Sequence, residues 1–183
     1  MIFFPTEFKG ITLIKSDFYN DQRGKFGEIF RKDLYYKKDI KVDFLQDNFS
    51  ISKKNCLRGL HYRKFKPQAQ LLTILQGEIF DVVLDLRKGS ETFGKWYSVE
   101  LSAGGKNQIF MDAGFAHGYY VKSSTAAIHY KVSEIYDPKD DHGIYWNDPN
   151  LNINWPSNTP FLKERDANFP FFNNQKDTNL LEY

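Results

Sequence analysis

The chain has one cysteine, Cys56, so no disulfide can form within it, which favours a reducing compartment. No stretch approaches the roughly 20 apolar residues that a membrane helix needs. The opening MIFFPTEFKG has no basic region ahead of a long apolar run, so no signal peptide is expected and the cytoplasm is the expected location. The net charge is only +2, and Lys and Arg are scattered without a basic block, so nucleic acid is not an expected partner, nor is a membrane. There are four histidines, and no two of them lie close together. That argues against a metal cupin, in which two or three histidines and a carboxylate converge on one ion. His61 is followed two residues later by Arg63, and no glutamate lies between His61 and Gly77. No metal and no cofactor are expected.

What is abundant is aromatic: 17 % of the 183 residues, with 17 Phe and 11 Tyr. Rings fill cores, and tyrosines also line pockets for sugars and bases. Neither a repeat nor a composition shift divides the chain. A single domain over residues 1–183 is expected, with a C-terminal tail from about residue 171.

Short alternating runs separated by glycines mark an all-β sandwich or barrel. EIFDVVLDL puts Phe80, Val82, Leu84 and Leu86 on one face and Asp81 and Asp85 on the other. WYSVELS alternates as well, and AAIHYKVS sets Ala126, Ile128, Tyr130 and Val132 opposite His129 and Lys131. YNDQRG and YDPKDDHG read as loops, and RKDLYYKKDI (31–40) is the main helical candidate. Strands at this spacing suggest a jelly roll with a ligand cavity between its sheets.

The stretch LRGLHYRKFKPQAQLL carries the chemistry. Without context, a lone histidine is best read as a core residue satisfied by backbone. Here Arg58, a bidentate anion binder, stands beside His61 at a strand entrance. Tyr130 shares a face with core residues, and KERD offers Asp166 after a proline-containing loop. An aspartate fixes a histidine's tautomer and strengthens it as a base, and a tyrosine opposite can give or take a proton. Those three types suit removal of a proton beside a carbonyl and its return from the other side.

The blocks DQRGKFGEIF, QDNFSISKKNCLRGLHY, GEIFDVVLDLRKGSETFGKWYSVELS, GFAHGYYV, YKVSEIYDP, WNDPNLNINWP and PFLKERD, in this order, resemble the nucleotide-sugar 3,5-epimerases, typified by dTDP-4-dehydrorhamnose 3,5-epimerase. The resemblance runs from about Ile11 to Asp166. It implies a cupin-type jelly roll with a few short helices, free of metal and usually a homodimer. It also implies action on a nucleoside-diphosphate 4-keto-6-deoxy sugar, dTDP above all. His61 falls where the family has its general base, Asp166 where it has the paired aspartate, and Tyr130 where it has the general acid. Arg58 matches a residue near sugar and diphosphate, and Gln46 and Asn48 match polar substrate contacts. Arg23 and Glu28 match positions that the partner subunit supplies around the nucleotide. Tyr19, where Phe is frequent, and Tyr136 match aromatics at the nucleotide. His117 matches a histidine lining the sugar pocket, with a structural and a catalytic role both open. His129 is expected outside the cavity, His142 in a solvated acidic turn, and Cys56 as a small buried apolar group.

Three departures stand out. Gln70 occupies the place of the family's lysine, which stabilises the enolate at the C4 carbonyl. Phe49 stands in place of His, and Lys163 in place of Ser. Losing an oxyanion donor outright costs about 3–4 kcal/mol, and a neutral donor in place of a charged one about half of that. The resemblance therefore implies an epimerase with an altered carbonyl end, inverting C3, C5 or both, on dTDP, CDP or GDP sugars. A 3,4-ketoisomerase of the same barrel type and a non-catalytic sugar-binding barrel are the alternatives.

Overall fold

The computed structural model describes residues 1–172. The tail expected from about residue 171 lies, beyond Phe172, outside the described residues. In chain order the strands are β1 Ile2–Pro5, β2 Ile11–Lys15, β3 Phe18–Asp21, β4 Gly24–Gly27, β5 Gln46–Lys53, β6 Leu57–Tyr62 and β7 Gln70–Gln76. They continue with β8 Glu78–Asp85, β9 Trp96–Ser102, β10 Gln108–Met111, β11 Phe115–Val121, β12 Thr125–Val132 and β13 His142–Gly143. Two short α-helices, α1 Lys32–Tyr36 and α2 Glu164–Ala167, and a 3-10 turn at Pro138–Asp140 complete the described elements.

Two antiparallel sheets face each other, ordered β1-β2-β10-β7-β12-β5 and β13-β6-β11-β8-β9. This is the cupin-type sandwich that the family resemblance implied, and it agrees with the jelly roll suggested by the strand spacing. Leu13, Leu72, Ile74, Ile109 and Ile128 from the first sheet meet Ile79, Val83, Phe115 and Tyr119 from the second in the central core. The outer faces are partly covered too. Ile144, Trp146, Leu151, Ile153 and Trp155 pack on Val82 and Leu84, and Tyr35 and Ile40 pack with Ile14, Leu71 and Phe110. β8 is therefore apolar on both faces. Its Phe80–Val82–Leu84 side is the outer one, and Ile79, Asp81 and Val83 point between the sheets.

Two local expectations are refined. YNDQRG is not a plain loop but the turn region of the β3–β4 hairpin, with Phe18 paired to Gly27 and Asp21 to Gly24. The helix expected over 31–40 is only the five residues of α1. Asp39 adopts a left-handed φ of 61°, and the Ile40 amide closes back on the Tyr35 carbonyl at 3.1 Å, ending it.

Candidate active site

His61 lies on β6 and His117 is its cross-strand partner on β11. Arg58 and His61 are three residues apart, so a regular strand would send them to opposite faces. Gly59, at φ 127°, interrupts the alternation, and the β6–β11 register shifts beside it. Both side chains consequently line the same cavity. A Cβ on Gly59 would stand 2.5 Å from the Gly118 Cα, so no larger residue fits that crossing.

The segment after residue 160 runs back along β6. The Leu57 amide donates to the Phe161 carbonyl at 3.0 Å and the Phe161 amide to Asn55 at 2.8 Å. That delivers α2 and its Asp166 to the end of β6. Asp166 Oδ1 stands 3.0 Å from His61 Nε2, and Oδ2 accepts from the Gly59 amide at 3.3 Å. Burial works to raise the Asp166 carboxyl, but the bond from His61, its charge, the Gly59 amide and Arg165 together hold it below the usual carboxylate range. Arg165 Nη2 also lies 3.2 Å from His61 Nε2. That nitrogen cannot both accept from arginine and donate to a carboxylate. The nearer, buried Asp166 takes its proton, and Arg165 stands by as a charge, held at 2.5 Å by Asp141. The neutral ring then carries its basic lone pair on Nδ1.

Tyr130 comes from the other sheet. Its hydroxyl donates to the Tyr119 hydroxyl at 2.9 Å and lies 3.2 Å from Ser50 Oγ. Burial, then the neighbouring Tyr119, push its phenol well above the ordinary value, so it stays protonated. His61 on one sheet and Tyr130 on the opposite sheet thus line the same cavity.

The cavity between them has a volume of about 500 Å³, within the range of small-ligand sites. Gln46, Asn48 and Ser50 enter from alternate positions of β5, and Gln70 opens β7. Gln46 donates to Asn48 Oδ1 at 2.7 Å and accepts from the Tyr136 amide at 2.8 Å. The Arg63 guanidinium lies 4.9 Å over the Tyr136 ring and donates to the Asp137 carbonyl. Asp140 ties the two rim loops together, its carboxylate accepting from the amides of Lys64, Phe65 and Lys66 at 2.8–2.9 Å. Among the described residues, Arg58 and Arg63 are the strong cations of the lining, with no lysine beside them.

His117 forms a second histidine–aspartate pair, Nε2 to Asp81 Oδ2 at 2.8 Å, and both residues are buried. Sequence reasoning placed Asp81 on the face opposite the apolar run without giving it a role. Its signal was a carboxylate in mid-strand with no turn residue beside it. Tyr119 was likewise missed, although it shares a strand face with His117 two residues away. Arg63, Gln68, Ser50 and Asp141 also line the cavity without having been singled out as binding residues.

Tyr19, Arg23 and Glu28 are not among the residues lining this cavity within one chain. They sit on or just after the β3–β4 hairpin, exposed, with Arg23 paired to Asp21 at 2.5 Å. His129 points out of the cavity toward Asp47 at 3.4 Å. His142 is not simply solvated: it stacks on Tyr62 at 5.6 Å and meets Phe65 edge-on at 5.8 Å. Cys56 is partly rather than fully buried, against the central core. Among the described residues, no cluster of three or more His, Cys, Asp or Glu could hold a metal ion, and no helix is long and apolar enough to cross a membrane.

Taken together, the two sheets define a cupin-type fold whose cavity is lined by an aspartate-paired histidine, a protonated tyrosine and two arginines. The chain belongs to the dTDP-4-dehydrorhamnose 3,5-epimerase family, whose model matches residues 5–174. It is 40 % identical over 170 residues to the dTDP-4-dehydrorhamnose 3,5-epimerase of Methanothermobacter thermautotrophicus, covering 91 % of this chain and 92 % of that protein. The dTDP-6-deoxy-D-glucose-3,5-epimerase of Legionella pneumophila, solved in complex with dTDP-4-keto-L-rhamnose, superposes with a TM-score of 0.93 at 39 % identity, covering 100 % of this chain and 98 % of that one. A 3'-monoepimerase from Streptomyces bikiniensis, solved with dTDP-quinovose, gives a TM-score of 0.87 at 30 % identity, covering 97 % and 91 %. Single- and double-centre epimerases are thus both among its structural neighbours.

Proposed function

We infer that the protein epimerises a nucleoside-diphosphate 4-keto-6-deoxy sugar by proton removal and return through an enolate. The observation that carries this is the placement of His61, backed by Asp166, on one sheet and Tyr130 on the other, across one cavity. A carbon beside the C4 carbonyl gives its proton to His61. The electron pair moves into the carbonyl as an enolate. Tyr130, held protonated, returns a proton to the opposite face, and the configuration inverts. Asp166 keeps the imidazole in the tautomer whose free nitrogen accepts.

Arg58 and Arg63 suit the diphosphate, since a guanidinium binds phosphate oxygens in pairs. Gln46, Asn48 and Tyr136 form one hydrogen-bonded wall that fits hydroxyl and base contacts. The dTDP sugars bound in the Legionella and Streptomyces relatives favour dTDP here. Gln70 supplies an amide rather than a charge to the enolate oxygen, which favours slower turnover or inversion of one centre only. In this reading the enzyme is a cytoplasmic homodimer, and the exposed hairpin bearing Tyr19, Arg23 and Glu28 meets the nucleotide of a second copy.

Proton NMR in D₂O, with dTDP-4-keto-6-deoxyglucose made in place by a dehydratase, tests the activity. Deuterium at C3 and C5 identifies a double epimerase, and deuterium at one carbon a single-centre enzyme. A carbonyl that migrates to C3 would replace this reading with a ketoisomerase. No exchange on dTDP, CDP and GDP sugars alike would leave only a binder.

A further inference from the structure

The hydroxyl of Tyr119 is placed as no packing requirement demands. Its ring is fully within the central core, 2 % exposed, yet its oxygen reaches the cavity wall. There it meets Tyr130 at 2.9 Å, Ser50 Oγ at 3.2 Å and Ser52 Oγ at 3.5 Å. Ser52 Oγ in turn accepts from Arg58 Nε at 3.0 Å. An arginine N–H can only donate, so the proton of Ser52 stays available to Tyr119. Arg58 is thereby linked to Tyr130 through Ser52 and Tyr119.

We propose that Tyr119 is a positioning residue for Tyr130, fixing where its hydroxyl sits in the cavity wall and then stabilising the oxygen left behind. The proposal rests on the epimerase reading. In the resting protein Tyr130 donates to Tyr119. When Tyr130 protonates the enolate carbon, its O–H bond breaks, a C–H bond forms and the enolate electrons return to the C4 carbonyl. Tyr130 is then a phenolate. The Tyr119 hydroxyl turns to donate to it, supported by Ser52 and Arg58 behind, until a cavity water restores the proton. No bond of Tyr119 itself is made or broken. The buried ring limits where that hydroxyl can be, so Tyr130 is held by a fixed neighbour rather than by mobile water alone.

The experiment is Tyr119→Phe, which removes one oxygen and keeps the ring. The wild type is first assayed for deuterium uptake in the sugar; no uptake there overturns the epimerase reading and this proposal together. With an active wild type, kcat of Tyr119→Phe is expected to fall about ten- to a hundredfold, the worth of one hydrogen bond to a charged group, with KM within about twofold. In a Tyr130→Phe background the same substitution is expected to do nothing further, because its effect runs through Tyr130. An unchanged kcat, a change confined to KM, or an equal loss in both backgrounds would overturn the role of Tyr119 while leaving the epimerase standing. If Tyr119→Phe melts early, Ser52→Ala takes its place. That variant strips the support behind Tyr119, and a lowered kcat at constant KM is expected, with an unchanged kcat counting against the proposal.

Discussion

His61 and His117 are direct cross-strand partners on β6 and β11, and each is bonded to an aspartate from a different part of the chain. The two pairs are not equivalent. The His61 side chain is 32 % exposed to the cavity and that of His117 only 6 %. His61 is therefore the more accessible of the two, and the His117–Asp81 pair is part of the buried wall.

His61→Asn is expected to lower kcat by about 10²–10⁴-fold, the usual loss when a general base is removed. Asp166→Asn should lose less, because the imidazole remains but its tautomer is no longer fixed by a carboxylate. Steady-state rates of deuterium uptake check both. Equal rates in wild type and His61→Asn would remove His61 from the reaction.

Tyr130→Phe leaves the base intact. Proton removal should continue, so exchange at the carbon facing His61 persists while the inverted product declines. The product ratio by NMR decides it, and an unaltered ratio would count against Tyr130 as the acid.

Gln70→Lys restores a charge to the lining at a position where the lining has none. A charged donor to an enolate oxygen in place of a neutral one is worth about 1.5–2 kcal/mol, so kcat should rise about tenfold. If the natural substrate engages the amide instead, KM for it will rise and turnover will not improve, which would overturn the assignment of Gln70 to the oxyanion.

Asp140→Ala would strip three backbone amides of their acceptor. The expected loss is about 2–3 kcal/mol of stability. KM should also rise, since the same loops carry Arg63 and Tyr136. Thermal melts and KM together test this, and a change in neither would show that water replaces the carboxylate without cost.

Burial acts to raise the Asp85 and Asp140 carboxyls, yet for Asp85 the Arg87 side chain and hydroxyl donors prevail, and for Asp140 the loop amides. Both, like Asp166, end below the ordinary carboxylate value. The unfolded chain then binds protons before the folded one does. The stability they confer is fully present above about pH 4, the unfolded value, and is lost as pH falls through the folded values. The melting temperature should accordingly be flat near neutrality and fall below about pH 4. An Asp140→Asn variant should melt lower than wild type at pH 7, with a gap that shrinks toward pH 3. A constant gap would refute the linkage.

The sequence alone carried much of this protein. Strand alternation with glycine punctuation was enough for an all-β sandwich or barrel, because one face of each strand must be buried and side chains alternate with period two. The single cysteine excluded a disulfide within the chain. The family resemblance singled out His61, Tyr130, Asp166, Gln46 and Asn48, and the structure brings them to one cavity, Asp166 through its bond to His61. Pairing across the fold was not legible. Asp81 joins His117 from 36 residues away, and Tyr119 meets Ser50 from 69 away. Such partners depend on strand order and register, which no local pattern encodes. Nor does spacing explain how Arg58 and His61 share a cavity. The break in alternation at Gly59, whose positive φ is tolerated because Gly118 lies against it without a side chain, lets both line it.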